Sequence, residues 1–294
     1  MPNNAAYLQA TVPDDSRYVE KEGVGIFISQ SLADEPLLTH GFTTRIGGVS
    51  APPFDSLNLG TGRDEPFENI IANYKKLCSA YGLRFDELAL VRHEHGANIL
   101  KLTAADGGRG VGLPPLDFSD GFVTNDPKVT LMTCHADCSA FFIYDKKTRS
   151  IGLAHAGWKG MFKRIGQRLV ERLAAEYGAD PSDMLAVIGP CICSDCFEVE
   201  LELAESFAEE FDCPDIYKVG GAKYNGPFRQ DKACVSLHAA AIIQLADAGV
   251  PIKNIRRMAS CTREREQYFY SYRRDGIRTG SMCAFLRLDD RPDL

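Results

Sequence analysis

The sequence predicts an α+β fold in which helices flank a core of mixed β-sheet. Three features lead to this prediction: short apolar runs bounded by turn residues, runs of helical period, and neighbouring strand-like runs with no helix between them. Strands and helices do not alternate regularly, as they would in a doubly wound parallel sheet. No repeat, low-complexity tract or flexible linker divides the chain, so we expect one compact domain.

Strand and helix patterns occur along most of the chain. The strand-like runs lie at 25–29, 88–92, 129–133, 140–144, 151–155 and 185–189. Apolar residues recur at helical spacing in four segments, at 66–77, about 162–178, 201–211 and 236–248. Pro66 suits a first helical position, whereas Gly178 and Gly249 are helix stop signals.

Composition and charge limit the functions that the chain can have. Its 294 residues are 45% hydrophobic and 25% charged, with a formal net charge of -7 at pH 7, so nucleic acid and anionic membranes are not attracted. No signal peptide pattern and no run of ~18 apolar residues is present. We therefore expect a cytoplasmic protein, with no nucleic acid or membrane partner, whose ten cysteines are reduced thiols.

His155 is the first candidate for a catalytic or metal-binding residue. Period-two alternation places Ile151, Leu153 and His155 on one face of a strand, and a turn from Gly157 to Gly160 follows. An imidazole at a strand end beside such a turn suits metal binding or catalysis. The alternative is a core histidine whose hydrogen bond goes to a backbone carbonyl.

The segment from Thr133 to Ser139 is a second candidate, because it crowds two thiols, an imidazole and a carboxylate behind an apolar strand. These groups are costly to bury without a partner or a metal. Cys138 as a thiolate is both a soft metal ligand and a nucleophile, and Asp137 beside it could act as acid or base or orient an imidazole. The alternative is that Cys138 simply begins the next strand.

Two more histidines, His93 and His95, share one face at strand spacing, although such pairs also occur on polar sheet edges. One Cys and two His from separate segments match the ligand chemistry of a catalytic zinc with an open fourth position. A further group of thiols looks closer to a metal-binding pattern, but no second cluster completes it, so we favour structural or incidental thiols over the alternative of a second metal site. They are Cys191, Cys193 and Cys196.

Two segments contain the residue types of anion sites. In the first, Arg45 and the amides of Gly47 and Gly48 could cradle a phosphate, although Gly-Gly turns without a ligand are commoner. In the second, Arg273 suits a phosphate or a carboxylate, unless this segment instead forms an internal ion pair with Asp275.

Eight short motifs follow one another along nearly the whole chain after the first twenty or so residues. They are His40 to Ser50, Asn58 to Gly60, His95-Gly96, Ser119 to Gly121, Ala136 to Cys138, His155 to Gly160, Gly189-Pro190 with Cys196 to Val199, and Ser271 to Gly276. In this order they resemble the YfiH/DUF152 family, also called the polyphenol oxidase or laccase domain family and the LACC1-like purine nucleoside phosphorylase family.

The resemblance implies a zinc site on His95, Cys138 and His155, in a CNF1/YfiH-like single domain of layered α/β type with a mixed β core. We expect residues 1–20 to form an N-terminal extension and residues 21–294 to form the catalytic domain. Similar proteins are described as phosphorolysing adenosine, inosine and methylthioadenosine and as deaminating adenosine. The expected partners are therefore a small nucleoside and phosphate, with zinc as the cofactor and copper as the less favoured metal.

The leading hypothesis is a zinc-dependent purine nucleoside enzyme. Its predicted catalytic residues are Cys138, Asp137 and His155, with Asp137 as the proton carrier. The predicted substrate or phosphate contacts are Arg45, Gly47, Gly48, Asn58 and Arg273.

Three other functions stay open at this point. A metal-free cysteine hydrolase would use Cys138 as nucleophile and His155 or His95 as base, and cleavage of an amide in a peptidoglycan precursor belongs to this class or to a zinc hydrolase. A copper-dependent phenol oxidase ranks lower, because the sequence lacks the repeated His-x-His pairs of a multicopper cluster. A binding module with a structural zinc would need a fourth ligand, which His93 could supply.

Four positions depart from the usual pattern of the family. His93 stands where Gln is common, Ser236 stands for Asp, Ala241 for Asn and Ser281 for Arg. The three metal positions are unaffected. The departures therefore bear on the surroundings of the metal and on substrate contacts from the C-terminal third.

Overall fold

The computed structural model describes residue 4 and residues 12–61, 64–223, 226 and 228–290. The strands are β1 (Ser16–Lys21), β2 (Val24–Ser29), β3 (Leu38–Thr43), β4 (Leu88–Ala89), β5 (Ile99–Lys101), β6 (Gly121–Thr124), β7 (Thr130–His135), β8 (Ser139–Asp145), β9 (Ser150–Ala156), β10 (Leu185–Ile188), β11 (Glu198–Glu200), β12 (Tyr217–Val219), β13 (Lys232–Val235), β14 (Ile255–Arg257) and β15 (Met282–Leu288). The α-helices are α1 (Gln30–Ala33), α2 (Phe67–Tyr81), α3 (Trp158–Phe162), α4 (Ile165–Tyr177), α5 (Leu201–Glu210), α6 (Leu237–Asp247) and α7 (Tyr272–Asp275).

The described strands form two six-stranded sheets and one small three-stranded sheet. The first large sheet has the order β1-β2-β3-β15-β7-β4, the second has the order β14-β10-β8-β9-β6-β5, and the small sheet has the order β11-β13-β12. Most neighbours are antiparallel, but β4 pairs parallel with β7, β10 with β14, and β5 with β6. The predicted α+β fold with a mixed β core and flanking helices is confirmed.

The two large sheets share one core, and each has helices on its other face. Along β8, Phe142 belongs to the core between the sheets, whereas Phe141 belongs to the core beneath α4 and α6. Along β15, Leu286 lies in the shared core and Phe285 packs in the core that contains residues of α2. The layers therefore run α2, first sheet, second sheet, then α4 with α6.

The predicted helices are present, with adjusted ends. Pro66 precedes α2 as its N-cap residue, and Gly178 ends α4 with a left-handed φ of 68°. The predicted start near residue 162 lies too early, because Phe162 ends α3 and Arg164, with a φ of 57°, separates it from α4. Ser236 caps α6 by accepting a hydrogen bond from the Ala239 amide at 3.1 Å, so this departure from the family pattern preserves the cap.

The predicted strands correspond to β2, β4, β7, β8, β9 and β10, of which β4 is shorter than expected. Leu90 leaves the sheet, and its amide donates to Arg109 O at 2.9 Å. β1 pairs with β2 from Ser16 onward, so the first sheet includes residues that we expected in the N-terminal extension of residues 1–20. Residues 1–3 and 5–11 of that predicted extension lie outside the described residues.

All ten cysteines lie in the described part of the chain, and none of them is in a disulfide there. Among the described helices, none combines the length and the apolar character that crossing a membrane requires.

Candidate metal centre

The ends of two paired strands position Cys138 and His155. In the antiparallel pair of β8 and β9, Ala140 lies opposite His155, so the turn before β8 places Cys138 beside the end of β9. Gly157, which follows β9, lies against the side chains of His95 and Cys138. A Cβ at this position would lie 2.9 Å from His95 Cδ2 and 3.2 Å from Cys138 Sγ. Only glycine leaves room for the three side chains to converge.

The three residues to which the family resemblance assigns the metal, His95, Cys138 and His155, form a compact group that could hold a metal ion and that we call the metal-binding group. One ligand atom from each, an imidazole nitrogen or the sulfur, lies within 4.8 Å of the other two. The rings of His95 and His155 are nearly perpendicular, with centroids 5.0 Å apart. Ligand bonds to zinc are about 2.0 to 2.3 Å long, so donors of a tetrahedral site lie under about 4 Å apart. Small side-chain shifts would close this group around one ion.

The buried carboxylate of Asp120 fixes the orientation of this group. It accepts hydrogen bonds from His155 Nδ1 at 3.0 Å and from the amides of His95 and Gly96 at 3.1 and 2.6 Å. With Nδ1 donating to Asp120, His155 presents Nε2 to the site. The hydrogen bonds from these two backbone amides also hold His95 at its left-handed φ of 56°.

Burial controls the protonation of the three side chains. It lowers the pKa of His155 to about 3 and also lowers the pKa of His95, so both imidazoles are neutral at pH 7. Burial, together with Asp137 and Asp120, raises the pKa of Cys138 to about 12. Neutral imidazoles are ready donors and the buried thiol needs a cation in order to ionise, so the donor set fits Zn²⁺.

His93 lies outside the group of three. Its Nε2 accepts a hydrogen bond from the Cys134 amide at 3.0 Å, and its Nδ1 lies 3.5 Å from Asp120 Oδ1. The ring stacks on His155 with centroids 4.3 Å apart. Both ring nitrogens face other protein groups, so this geometry does not make His93 a fourth ligand.

Asp137 anchors the turn between β7 and β8. One carboxylate oxygen accepts a hydrogen bond from Thr262 Oγ1 at 2.6 Å, and the other accepts bonds from Ser271 Oγ at 2.9 Å and the Arg273 amide at 2.7 Å. Both oxygens are occupied by the protein's own donors. The contacts therefore favour a positioning role, and the role of proton carrier stays a prediction.

The metal-binding group lies in a large cavity of about 1240 Å³. Its lining includes all three members of the group, together with large apolar side chains that are partly or mostly exposed. These are Phe67, Leu113, Phe118, Trp158 and Tyr272. Exposed aromatic groups around a concave site favour stacking with a flat ring system.

Two of the predicted contact residues act at this cavity in different ways. Arg273 lines it directly, and its guanidinium donates to Glu198 O at 2.9 Å. Asn58 is fully buried, and its Oδ1 accepts hydrogen bonds from the amides of Gly60 at 3.0 Å and Ser281 at 2.8 Å. Gly60 and Ser281 line the cavity, so Asn58 positions its wall.

The predicted phosphate cradle does not lie at the cavity. Arg45 donates to Asp55 O at 2.8 Å and pairs with Asp55 Oδ1 at 3.3 Å. The amides of Gly47 and Gly48 both donate to Ser56 Oγ at 3.1 Å. A neighbouring loop of the protein already satisfies these donors, which disfavours phosphate binding here, and the assignment of phosphate to them stays a prediction.

Three residues at the site had no predicted role of their own. Asp120 could have been found from its place in the Ser119 to Gly121 motif. His135, with Nδ1 3.0 Å from Cys138 O and Nε2 2.8 Å from Thr133 Oγ1, fixes the turn that carries Cys138. Arg92 lines the cavity, and its side chain has no charged or hydrogen-bonding partner among the described residues. Its isolated charge at the end of an apolar run was the available signal.

The similarity of the chain to known proteins extends over most of its length. A family model described as multi-copper polyphenol oxidoreductase laccase matches residues 39–289. The chain is 31% identical over 254 residues to the purine nucleoside phosphorylase YlmD of Bacillus subtilis strain 168, which covers 85% of this chain and 88% of that protein. It is 34% identical over 252 residues to a purine nucleoside phosphorylase of Deinococcus radiodurans, with 86% and 90% covered. Among solved structures, YlmD from Geobacillus stearothermophilus matches with a TM-score of 0.84 at 28% identity, covering 95% of this chain and 100% of that chain.

The matched residues contain all eight ordered motifs and the three candidate metal ligands. The relatives and the solved structure agree with the family model in spanning most of the chain. The chain therefore belongs to the YfiH/DUF152 family of laccase-domain proteins.

Proposed function

We propose that this protein is a zinc-dependent purine nucleoside phosphorylase that also deaminates adenosine. One observation carries the proposal: His95, Cys138 and His155 converge within a large cavity that has aromatic side chains in its lining. The names of relatives at 31% and 34% identity support a nucleoside-phosphorylase type of activity. The substrates that we propose are adenosine, inosine and methylthioadenosine, with phosphate.

The same three side chains would hold the zinc ion. When bound, zinc supplies Lewis-acid stabilisation of negative charge that develops on an oxygen close to it. Asp120 keeps His155 in the tautomer that frees Nε2, and its bonds to the amides of His95 and Gly96 fix the second imidazole. The arrangement is preorganised, because groups of the protein itself hold both imidazoles in place.

The cavity lining has groups that suit both halves of the reaction. Trp158 and Tyr272 offer aromatic faces to a purine base, whose flat apolar ring favours stacking. Arg92 and Arg273 offer guanidinium groups to phosphate. In this proposal the two arginines replace the segment around Arg45 as the phosphate-binding groups.

A product analysis tests the proposed function. Zinc-loaded protein is incubated with adenosine, with and without phosphate, and the products are separated by chromatography. We expect adenine and ribose 1-phosphate only when phosphate is present, and inosine in both cases. Cys138→Ala should remove both activities, whereas Cys78→Ala, a buried thiol of α2, should retain them. The absence of adenine, hypoxanthine and inosine with zinc-loaded wild-type protein would refute the proposal.

The assignment of phosphate contacts makes a separate prediction. Arg92→Gln should raise the KM for phosphate roughly 10- to 100-fold, because a charged hydrogen bond contributes about 1.5 to 3 kcal/mol. Arg45→Gln should leave that KM within about twofold, since its guanidinium is bound to Asp55. Steady-state phosphorolysis with varied phosphate measures both. An equal rise in the two variants would restore the original assignment of Arg45.

Competing functions are tested with the same protein. The description of the family model favours copper and phenol oxidation, so copper-loaded protein should be assayed with a phenol. A metal-free cysteine hydrolase is disfavoured because burial raises the pKa of Cys138 to about 12, which keeps the thiol protonated at neutral pH. Amide cleavage in a peptidoglycan precursor, with no product from any nucleoside, would support the hydrolase instead.

A further inference from the structure

A second group of soft ligands lies where two loops meet. The sulfurs of Cys193, Cys196 and Cys261 all lie within 4.8 Å of one another. Because β10 and β14 are parallel neighbours, the loops that follow them leave the same edge of the sheet, and an isolated parallel bridge between Cys191 and Cys261 continues the pairing. We propose that these three thiols form a second metal site, for a soft divalent cation such as zinc.

The local backbone presents the three sulfurs to one point. Cys193 and Cys196 have the C-x-x-C spacing of structural zinc sites, and the amides of Cys196 and Phe197 close their turn on Cys193 O at 3.0 and 2.9 Å. Cys261 begins a second turn, which the Arg265 amide closes on Cys261 O at 3.1 Å. Thiolates bound to a tetrahedral zinc lie roughly 3.8 Å apart, so a small contraction would complete the site.

Backbone amides and cations around the group favour negative charge on sulfur. The Cys193 amide donates to Cys261 Sγ at 3.4 Å. Arg263 and Arg273 lie close by, and Arg273 Nη1 donates to Cys196 O at 3.4 Å. Three thiolates and a divalent ion carry a net negative charge that these arginines offset.

A disulfide is the competing use of these residues, but it would employ only two of the three sulfurs.

The loop that contains Cys193 and Cys196 also contributes to the wall of the cavity. Ile192 and Phe197 both line the cavity, and the Ile192 amide donates to Asp137 O at 3.0 Å. A metal bound to the C-x-x-C turn would hold this wall in place. The site rests on cysteine geometry and is independent of the proposed reaction.

Metal stoichiometry in a set of variants tests the second site. The protein is produced with zinc, purified under reducing conditions and analysed for metal by mass spectrometry. We expect two zinc ions per chain for wild type and for Cys78→Ala, one for Cys261→Ala, one for Cys138→Ala, and none for the double variant. Cys261→Ala with the same zinc content as wild type would overturn the second site. Loss of zinc only in Cys261→Ala would instead overturn the first site and leave the second standing.

Cobalt binding gives a test that does not depend on the folding of Cys261→Ala. In Cys138→Ala the first site lacks its thiolate, whereas the second site keeps all three. Titration of this variant with Co²⁺ should produce sulfur-to-cobalt charge-transfer absorption that saturates at one ion per chain. Absence of that absorption overturns the proposal.

Alkylation tests the disulfide alternative. Alkylation of the denatured, unreduced protein should modify all ten cysteines. A disulfide between Cys193 and Cys261, found without bound metal, would likewise overturn the proposal.

Discussion

At the scale of single residues, Asp120 sets the geometry of the metal-binding group. Its carboxylate binds one imidazole through the side chain of His155 and the other through the backbone of His95. Burial raises the pKa of this carboxyl group, but the contacts with His155 and His93 outweigh burial and hold the pKa well below its usual range. A fully buried anion in this position also favours a cation among the ligands.

Asp120→Asn should therefore weaken zinc binding. The side-chain amide of Asn keeps one acceptor oxygen but lacks the negative charge and the second acceptor oxygen of the carboxylate. Loss of the carboxylate that orients a metal-binding histidine typically lowers metal affinity roughly 10- to 100-fold. Competition with a chelator measures the affinity. Asp126→Asn is the matched control, because Asp126 also accepts a backbone amide, from Ala104 at 2.7 Å, but lies outside the cavity. Equal zinc affinities in both variants would remove the orienting role from Asp120.

At the scale of elements, short segments rather than the long helices build the cavity wall. α7 begins at Tyr272 with Ser271 as its N-cap, whose hydroxyl accepts a bond from the Arg274 amide at 3.2 Å and donates to Asp137. Asp137 thus joins the turn that carries Cys138 to the helix that carries Arg273. The long helix α4 contributes instead to the core, where Leu169 is fully buried.

Asp137→Asn should destabilise this junction. The new NH₂ group would face donors that now bind a carboxylate, and hydrogen bonds to a charged group contribute about 1.5 to 3 kcal/mol. We expect a loss of that size in the free energy of unfolding, measured with urea, at unchanged zinc content. Asp183→Asn, which breaks the exposed pair with Lys147, should cost under about 1 kcal/mol. A shifted pH profile of activity at unchanged stability would instead restore Asp137 as the proton carrier.

At the scale of the whole molecule, stability depends on keeping polar groups neutral between the layers. His40 of β3 is buried, and its Nε2 accepts a hydrogen bond from the Ser29 amide at 3.0 Å. Burial lowers its pKa to about 4, so the folded protein holds this imidazole in the neutral form. The unfolded chain has no such restraint, since a free histidine titrates near pH 6.5.

The depressed pKa of His40 gives stability a pH dependence of known sign. Above about pH 6.5 neither state binds the proton, but as the pH falls toward 4 the unfolded chain binds it and the folded protein does not, so stability falls. Between pH 7 and pH 5 the loss should be about 2 kcal/mol. The variant His40→Gln keeps an acceptor for the Ser29 amide. In this variant the free energy of unfolding, measured with urea, should differ between the two pH values by about this amount less than in the wild type. The same pH dependence in both proteins would contradict the assignment.

How far the sequence predicts this protein differs from one scale to another. Amphipathic runs predicted α2, α4, α5 and α6, because the period of one helix face is a local property. β1, β3 and β15 were not predicted, although they form the first sheet with β2, β7 and β4. Whether a short extended run joins a sheet depends on its partner strands, and one of the two partners of β3 is β15, at the far end of the chain.

What the sequence determined by itself was the family, the mixed α and β composition, and the candidate ligands His95, Cys138 and His155. Their ordered motifs are local patterns, and the chemistry of one thiol and two imidazoles is independent of how they meet. Only the tertiary structure decided which donors were free. Arg45 and its glycines are bound by Ser56 and Asp55, and Cys261 reaches Cys193 from 68 positions away. Such contacts depend on strand pairing between distant segments, and spacing along the chain does not encode them.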